Sequence, residues 1–228
     1  FTDMLRAESA YPLHTPASED ICALQYTGGT TGVSKGVMLT QGSLMSNVAQ
    51  AMAMINVGGR SVTHFTTVSP LPLYHIYAYM LNMGLLPATR GHSVLIPDPR
   101  NIPMFVNAIK NIKFEIFCGL NSLFVALLQS PKFRQLDFSQ LQITLSGGMA
   151  LMDAVADEWQ QATGCVVSEG YGMTESSPVI SMNPSGFEKI DTAGIPIPGT
   201  EIKVVDENGT EQQVGGVGEL CVRGAQVM

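Results

Sequence analysis

Apolar positions along the chain change period several times, and those changes divide it. The run Ile21-Cys22-Ala23-Leu24-Gln25-Tyr26 and the run Val37-Met38-Leu39-Thr40 flank a polar, glycine-rich stretch, which predicts strand, loop, strand. Helical spacing then begins. Leu44, Val48, Met52 and Ile55 fall on one face behind Ser43, predicting a helix over 43–56 capped by that serine, its methionine-rich stripe packed in the core. A strand over 64–69 runs into Pro70-Leu71-Pro72-Leu73-Tyr74-His75, and a helix over 76–86 follows. Strands at 93–96, 114–117, 142–145 and around Val166-Val167 then alternate with helices at 104–111, 122–129 and 150–162. This alternation predicts an α/β fold, a mostly parallel sheet covered by helices on both faces. After Pro184 the helical period stops. Residues 201–205 and 218–222 read as strands joined by a turn at Asp206-Glu207-Asn208-Gly209, the start of a small antiparallel β subdomain at the C-terminal end. Three parts follow: a lead-in over 1–20 interrupted by Pro12 and Pro16, an α/β unit over 21–190, and the antiparallel unit from 191 to 228.

The first loop is the stretch richest in candidate chemistry. Tyr26-Thr27-Gly28-Gly29-Thr30-Thr31-Gly32-Val33-Ser34-Lys35-Gly36 contains no acid. Glycines let backbone N–H groups turn toward a ligand, the hydroxyls of Thr27, Thr30, Thr31 and Ser34 add donors, and Lys35 adds a mobile positive charge. That set suits a polyphosphate better than it suits a merely solvated hairpin loop. A Walker loop is disfavoured, because Lys35 lies between Ser34 and Gly36 and the exit reads as strand rather than helix.

In an open α/β sheet, ligands bind beyond the carboxyl ends of the parallel strands. Three turns are expected there: Tyr74-His75, Ser146-Gly147-Gly148-Met149 before a helix, and Glu169-Gly170-Tyr171-Gly172-Met173-Thr174-Glu175. If their strands are parallel, the three line one crevice. Gly147 and Gly148 admit close approach of a flat base, or form an ordinary strand–helix turn. Tyr171 between two glycines exposes its ring for stacking, or is a core tyrosine. Thr174 and Glu175 offer a hydroxyl and a hard oxygen anion, which suit Mg²⁺ beside phosphate, or a helix cap. The helix over 76–86 is apolar around almost its whole circumference. Ala78 and Gly84 on it either leave room for an aliphatic chain or serve close packing.

Composition narrows the partners. The 228 residues are 45% apolar and 14% charged, which is enough apolar material for a substantial core. Net charge is -7 without a basic stripe, so no nucleic acid is expected. Cys22, Cys118, Cys165 and Cys221 form no Cys-x-x-Cys pair and read as buried thiols of a reducing compartment. The longest apolar run is too short and too broken to span a membrane.

The first loop resembles the signature of the adenylate-forming superfamily of AMP-dependent synthetases and ligases, which includes acyl-CoA synthetases, luciferases and peptide-synthetase adenylation domains. The resemblance runs from about Ile21 to Met228. Ser34 stands where the signature usually has proline, which points to the bacterial long-chain fatty-acid–CoA ligases. The resemblance implies that Tyr171-Gly172-Met173-Thr174-Glu175 is the second nucleotide motif, with Tyr171 stacking adenine, Thr174 on phosphate and Glu175 holding Mg²⁺, with Thr174 as its neighbour at the metal. Glu169, Gly170, Gly172, Gly147 and Gly148 complete the nucleotide set with Tyr26, Thr27, Gly28, Gly29, Thr30, Thr31, Gly32, Ser34 and Lys35. Lys35, His75, Thr174 and Glu175 would be catalytic, His75 lying near the substrate carboxylate. ATP, Mg²⁺, CoA and a fatty acid are the implied partners, in a cytoplasmic enzyme. Peripheral contact with the inner face of the cell membrane and homodimerisation stay open. So do an aryl-CoA ligase, a carrier-dependent adenylation domain and a non-catalytic nucleotide-binding protein. The superfamily's Thr-Gly-Asp motif and its mobile C-terminal domain with a lysine are expected beyond Met228, so this stretch alone is expected to be inactive.

Overall fold

The computed structural model describes residues 15–27, 34–56 and 63–228. The expected phosphate loop from Gly28 to Val33 and the first fourteen residues of the lead-in lie outside the described residues.

A hairpin opens the fold. Strands β1 (Ile21–Thr27) and β2 (Lys35–Thr40) pair antiparallel, with Thr27 opposite Lys35 and Tyr26 opposite Gly36. Val37 and Leu39 point inward and are buried, while Leu24 and Met38 face outward. Helix α1 (Gln41–Ile55) follows at once. Its cap is Thr40, not Ser43. Thr40 Oγ1 accepts from the Ser43 N–H at 3.1 Å, and Ser43 Oγ accepts from the Thr40 N–H at 3.2 Å, a reciprocal capping box.

The large sheet has seven strands in the order β4-β3-β5-β6-β7-β8-β9. Strands β3 (Thr66–Ser69), β4 (His92–Leu95), β5 (Ile116–Gly119), β6 (Ile143–Gly147) and β7 (Val167–Gly172) run parallel. Strands β8 (Val179–Met182) and β9 (Ile195–Pro196) add antiparallel at one edge. The sheet thus takes in residues that the sequence assigns to the smaller unit from 191. That smaller unit holds the antiparallel pair β10 (Glu201–Val205) and β11 (Glu219–Arg223). Its expected turn at Asp206–Gly209 forms, but the chain makes a longer excursion before β11.

Alternation along the buried strands splits the core between two faces. Phe117, Val68 and Val167 pack on one side with Phe105 of α4 (Ile102–Ile109), Phe124 of α5 (Asn121–Leu128), Phe133 of the short α6 (Pro131–Arg134) and Trp159 of α7 (Asp153–Thr163). The Trp159 indole N–H donates to Thr144 Oγ1 at 3.0 Å, so that packed ring leaves no unsatisfied donor. Ile116, Cys118 and Ile143 face the other side, against α1 and the helical rod over 76–89.

That rod differs from the plain helix expected. It begins as α2 (Ile76–Tyr79), widens into a π-helical segment (Met80–Leu85) and closes as α3 (Leu86–Thr89). The Leu86 N–H reaches back to Leu81 C=O, and Asn82 Nδ2 donates to Ala78 C=O at 2.8 Å, satisfying a carbonyl that the wider turn displaces. Asn82 Oδ1 accepts from Ser93 Oγ at 2.6 Å, tying the segment to β4. Gly84 serves close packing, because a Cβ there would come within 2.5 Å of the Val48 side chain on α1. The rod is not buried all round either, since Met83 is 62% exposed.

The thiols are also less uniform than expected. Cys118 and Cys165 are buried, Cys221 is half-buried, and Cys22 sits exposed on the outer face of the hairpin. No helix among the described residues is long and apolar enough to cross a membrane.

Candidate active site

A cleft of about 510 Å³ opens at the carboxyl ends of β6 and β7, between the hairpin, the 76–89 rod and β8. The three expected segments meet in it: His75 from the first, Gly147 and Gly148 from the second, and Gly170 to Glu175 from the third. Thr27, at the end of β1, completes the polar part of the wall.

Each arrives by a local cause. His75 caps α2, its Nδ1 accepting from the Tyr77 N–H at 3.3 Å. With Nδ1 engaged as acceptor, the neutral ring carries its proton on Nε2. Gln25 Nε2 donates to Tyr74 C=O and links this segment to the hairpin. Gly148 adopts φ +80° just past β6, a conformation that glycine takes without strain. The helix expected directly after it starts only at Asp153. The intervening loop is pinned by Glu169, which accepts from the Leu151 N–H at 3.1 Å, and by Asn121, which accepts from the Met152 N–H at 3.1 Å.

The segment from Glu169 to Gly172, expected as a turn, is strand. It continues β7 because β6 pairs with Glu169 and Gly170 on one side and β8 pairs with Gly170 to Gly172 on the other, Gly170 opposite Met182 and Tyr171 opposite Ser181. Gly172 is demanded by that pairing, since a Cβ there would lie 2.0 Å from the Pro178 carbonyl oxygen. The chain then turns through a 3₁₀ segment, Thr174–Ser176, against which β2 packs. Ser176 Oγ accepts from the Met173 N–H at 3.2 Å and closes the turn.

Several expected site residues stand elsewhere. Glu169 alternates away from the cleft and is spent on the Leu151 amide, so its carboxylate does not line the site. Tyr26 is 70% exposed, its ring lying across Gly36 on the outer face of the hairpin. Ser34 and Lys35 are exposed and are not in the cleft wall, although Lys35 sits directly opposite Thr27, which is. Gly28, Gly29, Thr30, Thr31 and Gly32 lie outside the described residues.

Two residues that shape the cleft escape sequence reasoning. Tyr77 lines the cleft, packs its ring against Gly147 and donates its O–H to Leu145 C=O at 3.2 Å. Burial holds its hydroxyl well above the ordinary tyrosine pKa, with Cys118 beside it adding to the rise. Burial likewise pushes the Cys118 thiol up to about 12, against the pull of the Tyr77 and Thr67 hydroxyls. The second is Asn47 of α1, fully buried. Its Nδ2 donates to Val179 C=O at 2.9 Å and its Oδ1 accepts from the Val179 N–H at 3.1 Å, clamping the cleft edge of β8 to the helix. A polar residue set among Leu44, Val48 and Ala51 on the buried helix face was the available signal.

Apart from Ser146, whose buried hydroxyl has no hydrogen-bond partner, the rest of the wall is apolar. Ala51 and Ile55 of α1 face Met80, Leu81 and Leu85 of the rod, with Met182 across from them. Among the described residues no three His, Cys, Asp or Glu side chains gather, so a metal here would rest on Glu175 and its neighbour Thr174 plus ligand oxygens.

The chain is similar to known proteins in sequence and in structure. The profile described as "AMP-binding enzyme" matches residues 3–228. The chain belongs to the AMP-binding enzyme family. Within it, the chain is 45% identical over 213 residues to the long-chain-fatty-acid–CoA ligase of Haemophilus influenzae, a match covering 92% of this chain and 38% of that protein. It is 34% identical over 221 residues to the 4-coumarate–CoA ligase of Pinus taeda, covering 92% of the chain and 40% of the relative. In structure it is similar to ATP-bound MatB from Rhodopseudomonas palustris, with a TM-score of 0.84 at 28% identity over 99% of this chain and 44% of that one. The chain thus spans about two fifths of the length of these relatives.

Proposed function

We propose that the chain is the nucleotide- and acyl-binding part of an ATP-dependent long-chain fatty-acid–CoA ligase. The observation that carries this reading is a single cleft with two chemistries. Hydroxyls, a carboxylate and close-approach glycines form one part of its wall. Aliphatic side chains of α1 and the rod form the other, and His75 stands at the head of the rod. The 45% identity to a fatty-acid–CoA ligase supports the same assignment.

A fatty acid carboxylate oxygen attacks the α-phosphorus of ATP, and the bond to the bridging oxygen breaks. Acyl-AMP forms and pyrophosphate leaves with the electron pair. The sulfur of CoA then attacks the acyl carbon, and AMP departs as the thiol proton passes to solvent. In the first step Thr27 and Thr174 donate hydrogen bonds to phosphate oxygens, and Lys35, across the hairpin from Thr27, supplies positive charge. Tyr171 stacks on the adenine at the Gly147-Gly148 edge. His75 donates from Nε2 to the carboxylate and orients it, while the aliphatic wall excludes water from the acyl phosphate. The oxygen donors Glu175 and Thr174 fit Mg²⁺, which would neutralise phosphate charge there. The reaction belongs in the cytoplasm, where ATP and CoA are supplied.

The 34% identity to a 4-coumarate–CoA ligase favours, as second reading, an aryl acid in the same cleft. The test is exchange of pyrophosphate into ATP by the full-length protein that carries this chain, with a long-chain fatty acid, 4-coumarate and amino acids as separate substrates. Fatty-acid-dependent exchange followed by CoA-dependent thioester formation is expected. Exchange with 4-coumarate alone selects the aryl reading. Exchange with amino acids alone selects a carrier-dependent adenylation domain, and no exchange with any acid leaves only nucleotide binding.

A further inference from the structure

Two carboxamides of α1 reach, by different routes, the turn that carries Thr174 and Glu175. Asn47 clamps the Val179 backbone, and the preceding Pro178 C=O accepts from the Met173 N–H at 3.0 Å, which fixes the start of the turn to β8. Gln50 lies three residues further along α1, on the same side of the helix. Its Nε2 donates to Pro198 C=O at 2.8 Å and to Gln226 Oε1 at 3.2 Å.

Gln226 follows β11 in a short turn closed by the Val227 N–H on Gly224 C=O. It is fully buried, and its Nε2 donates to Thr200 Oγ1 at 2.7 Å, directly ahead of β10. The carboxamide therefore joins α1 to the end of the antiparallel pair where Glu201 stands opposite Arg223. The space around it is tight, because a Cβ on Gly224 would collide with it. Two residues on, the Met228 N–H donates to Glu175 C=O at 2.9 Å. The backbone of Glu175 is thus held by a segment whose own place is fixed through Gln226. An apolar side chain of similar volume could be buried there without the cost of desolvating an amide. A carboxamide with its nitrogen and its oxygen both hydrogen-bonded specifies one arrangement instead, and any displacement of 226–228 would move the amide that holds Glu175.

We infer that Gln226 is a positioning residue: through the Met228 amide it sets the direction of the Glu175 carboxylate, and with it the strength with which a divalent cation is held beside the nucleotide. The inference rests on the reading above in which Glu175 and Thr174 fit Mg²⁺.

The experiment is calorimetric titration of the full-length protein with an unreactive ATP analogue, once with saturating Mg²⁺ and once with EDTA. The ratio of the two dissociation constants measures how far the metal tightens nucleotide binding. Gln226→Met keeps the volume and removes both side-chain hydrogen bonds. It is expected to lower that ratio about tenfold, the smaller end of what losing a group that orients a metal ligand costs, with binding in EDTA unchanged. Thr200→Val removes one of the two bonds and reports even if Gln226→Met fails to fold, with an expected loss of about threefold. Hydrogen exchange should quicken over 173–176 together with 224–228. A folded variant that keeps the full ratio, or that weakens binding equally in Mg²⁺ and in EDTA, has lost packing only and overturns the inference, as does faster exchange confined to 224–228. Glu175→Gln is the control: if it too keeps the full ratio, the metal reading of Glu175 fails and the inference falls with it.

Discussion

Replacing Asn47 with alanine tests how the cleft edge is held. Asn47 is fully buried and makes two hydrogen bonds to one residue, both to the Val179 backbone. Alanine leaves the Val179 N–H and C=O without those partners. An orphaned buried backbone group costs about 1–3 kcal/mol. Val179 is half-buried and borders the cleft, so water reaches part of what alanine exposes and the lower end of the range applies to each group. The expected local cost is about 2–3 kcal/mol, which corresponds to a loss of roughly 30- to 150-fold in protection of the Val179 amide against hydrogen exchange. Exchange in the full-length protein, followed by mass spectrometry over the β8 peptide, measures it. The β6 and α7 peptides, which Asn47 does not contact, should be unchanged. Because Pro178 and Val179 line the cleft, KM for the acid should rise together with the exchange rate. Unchanged protection over β8 with an unchanged KM would refute the clamp, and equal loss over β6 and α7 would mean global destabilisation instead.

Two further outcomes follow from the site. Glu175→Gln in the full-length protein should lower kcat strongly with a smaller effect on fatty-acid KM, since the carboxylate works against charge that grows in the transition state; an unchanged kcat at saturating Mg²⁺ would reduce Glu175 to an acid in a capped turn. Stability should fall as the solution becomes alkaline. Cys118 is held at about 12 and Tyr77 is also raised in the fold, so above about pH 9 the unfolded thiol ionises while the folded one does not. The stability is therefore complete below the unfolded thiol's pKa and is lost as pH rises toward 12. Urea midpoints measured from pH 8 upward check it, with Cys118→Ala expected to flatten the decline.

How much was legible in the sequence depends on how local each signal is. The alternation of strand and helix periods from residue 64 to Val167 predicts a parallel sheet, and each of those elements exists, displaced by a few residues at its ends. The crevice too was readable, because parallel strands place their following turns at one edge, and His75, Gly147, Gly148, Tyr171, Thr174 and Glu175 meet there. The sequence by itself determined these features, since period and punctuation are properties of neighbours in the chain.

Tertiary structure decided what depends on partners far along the chain. Glu169 to Gly172 read as a turn, yet pairing with β6 on one side and β8 on the other makes it strand, and the Glu169 carboxylate turns to the Leu151 amide. Gly84 read equally as room for a ligand and as packing, and only the approach of Val48 from α1, thirty-six residues earlier, made it packing. Asn47 found its partner at Val179, 132 residues away. A period tells which face of an element is apolar, but the residue that fills that face is supplied by whichever distant segment packs against it.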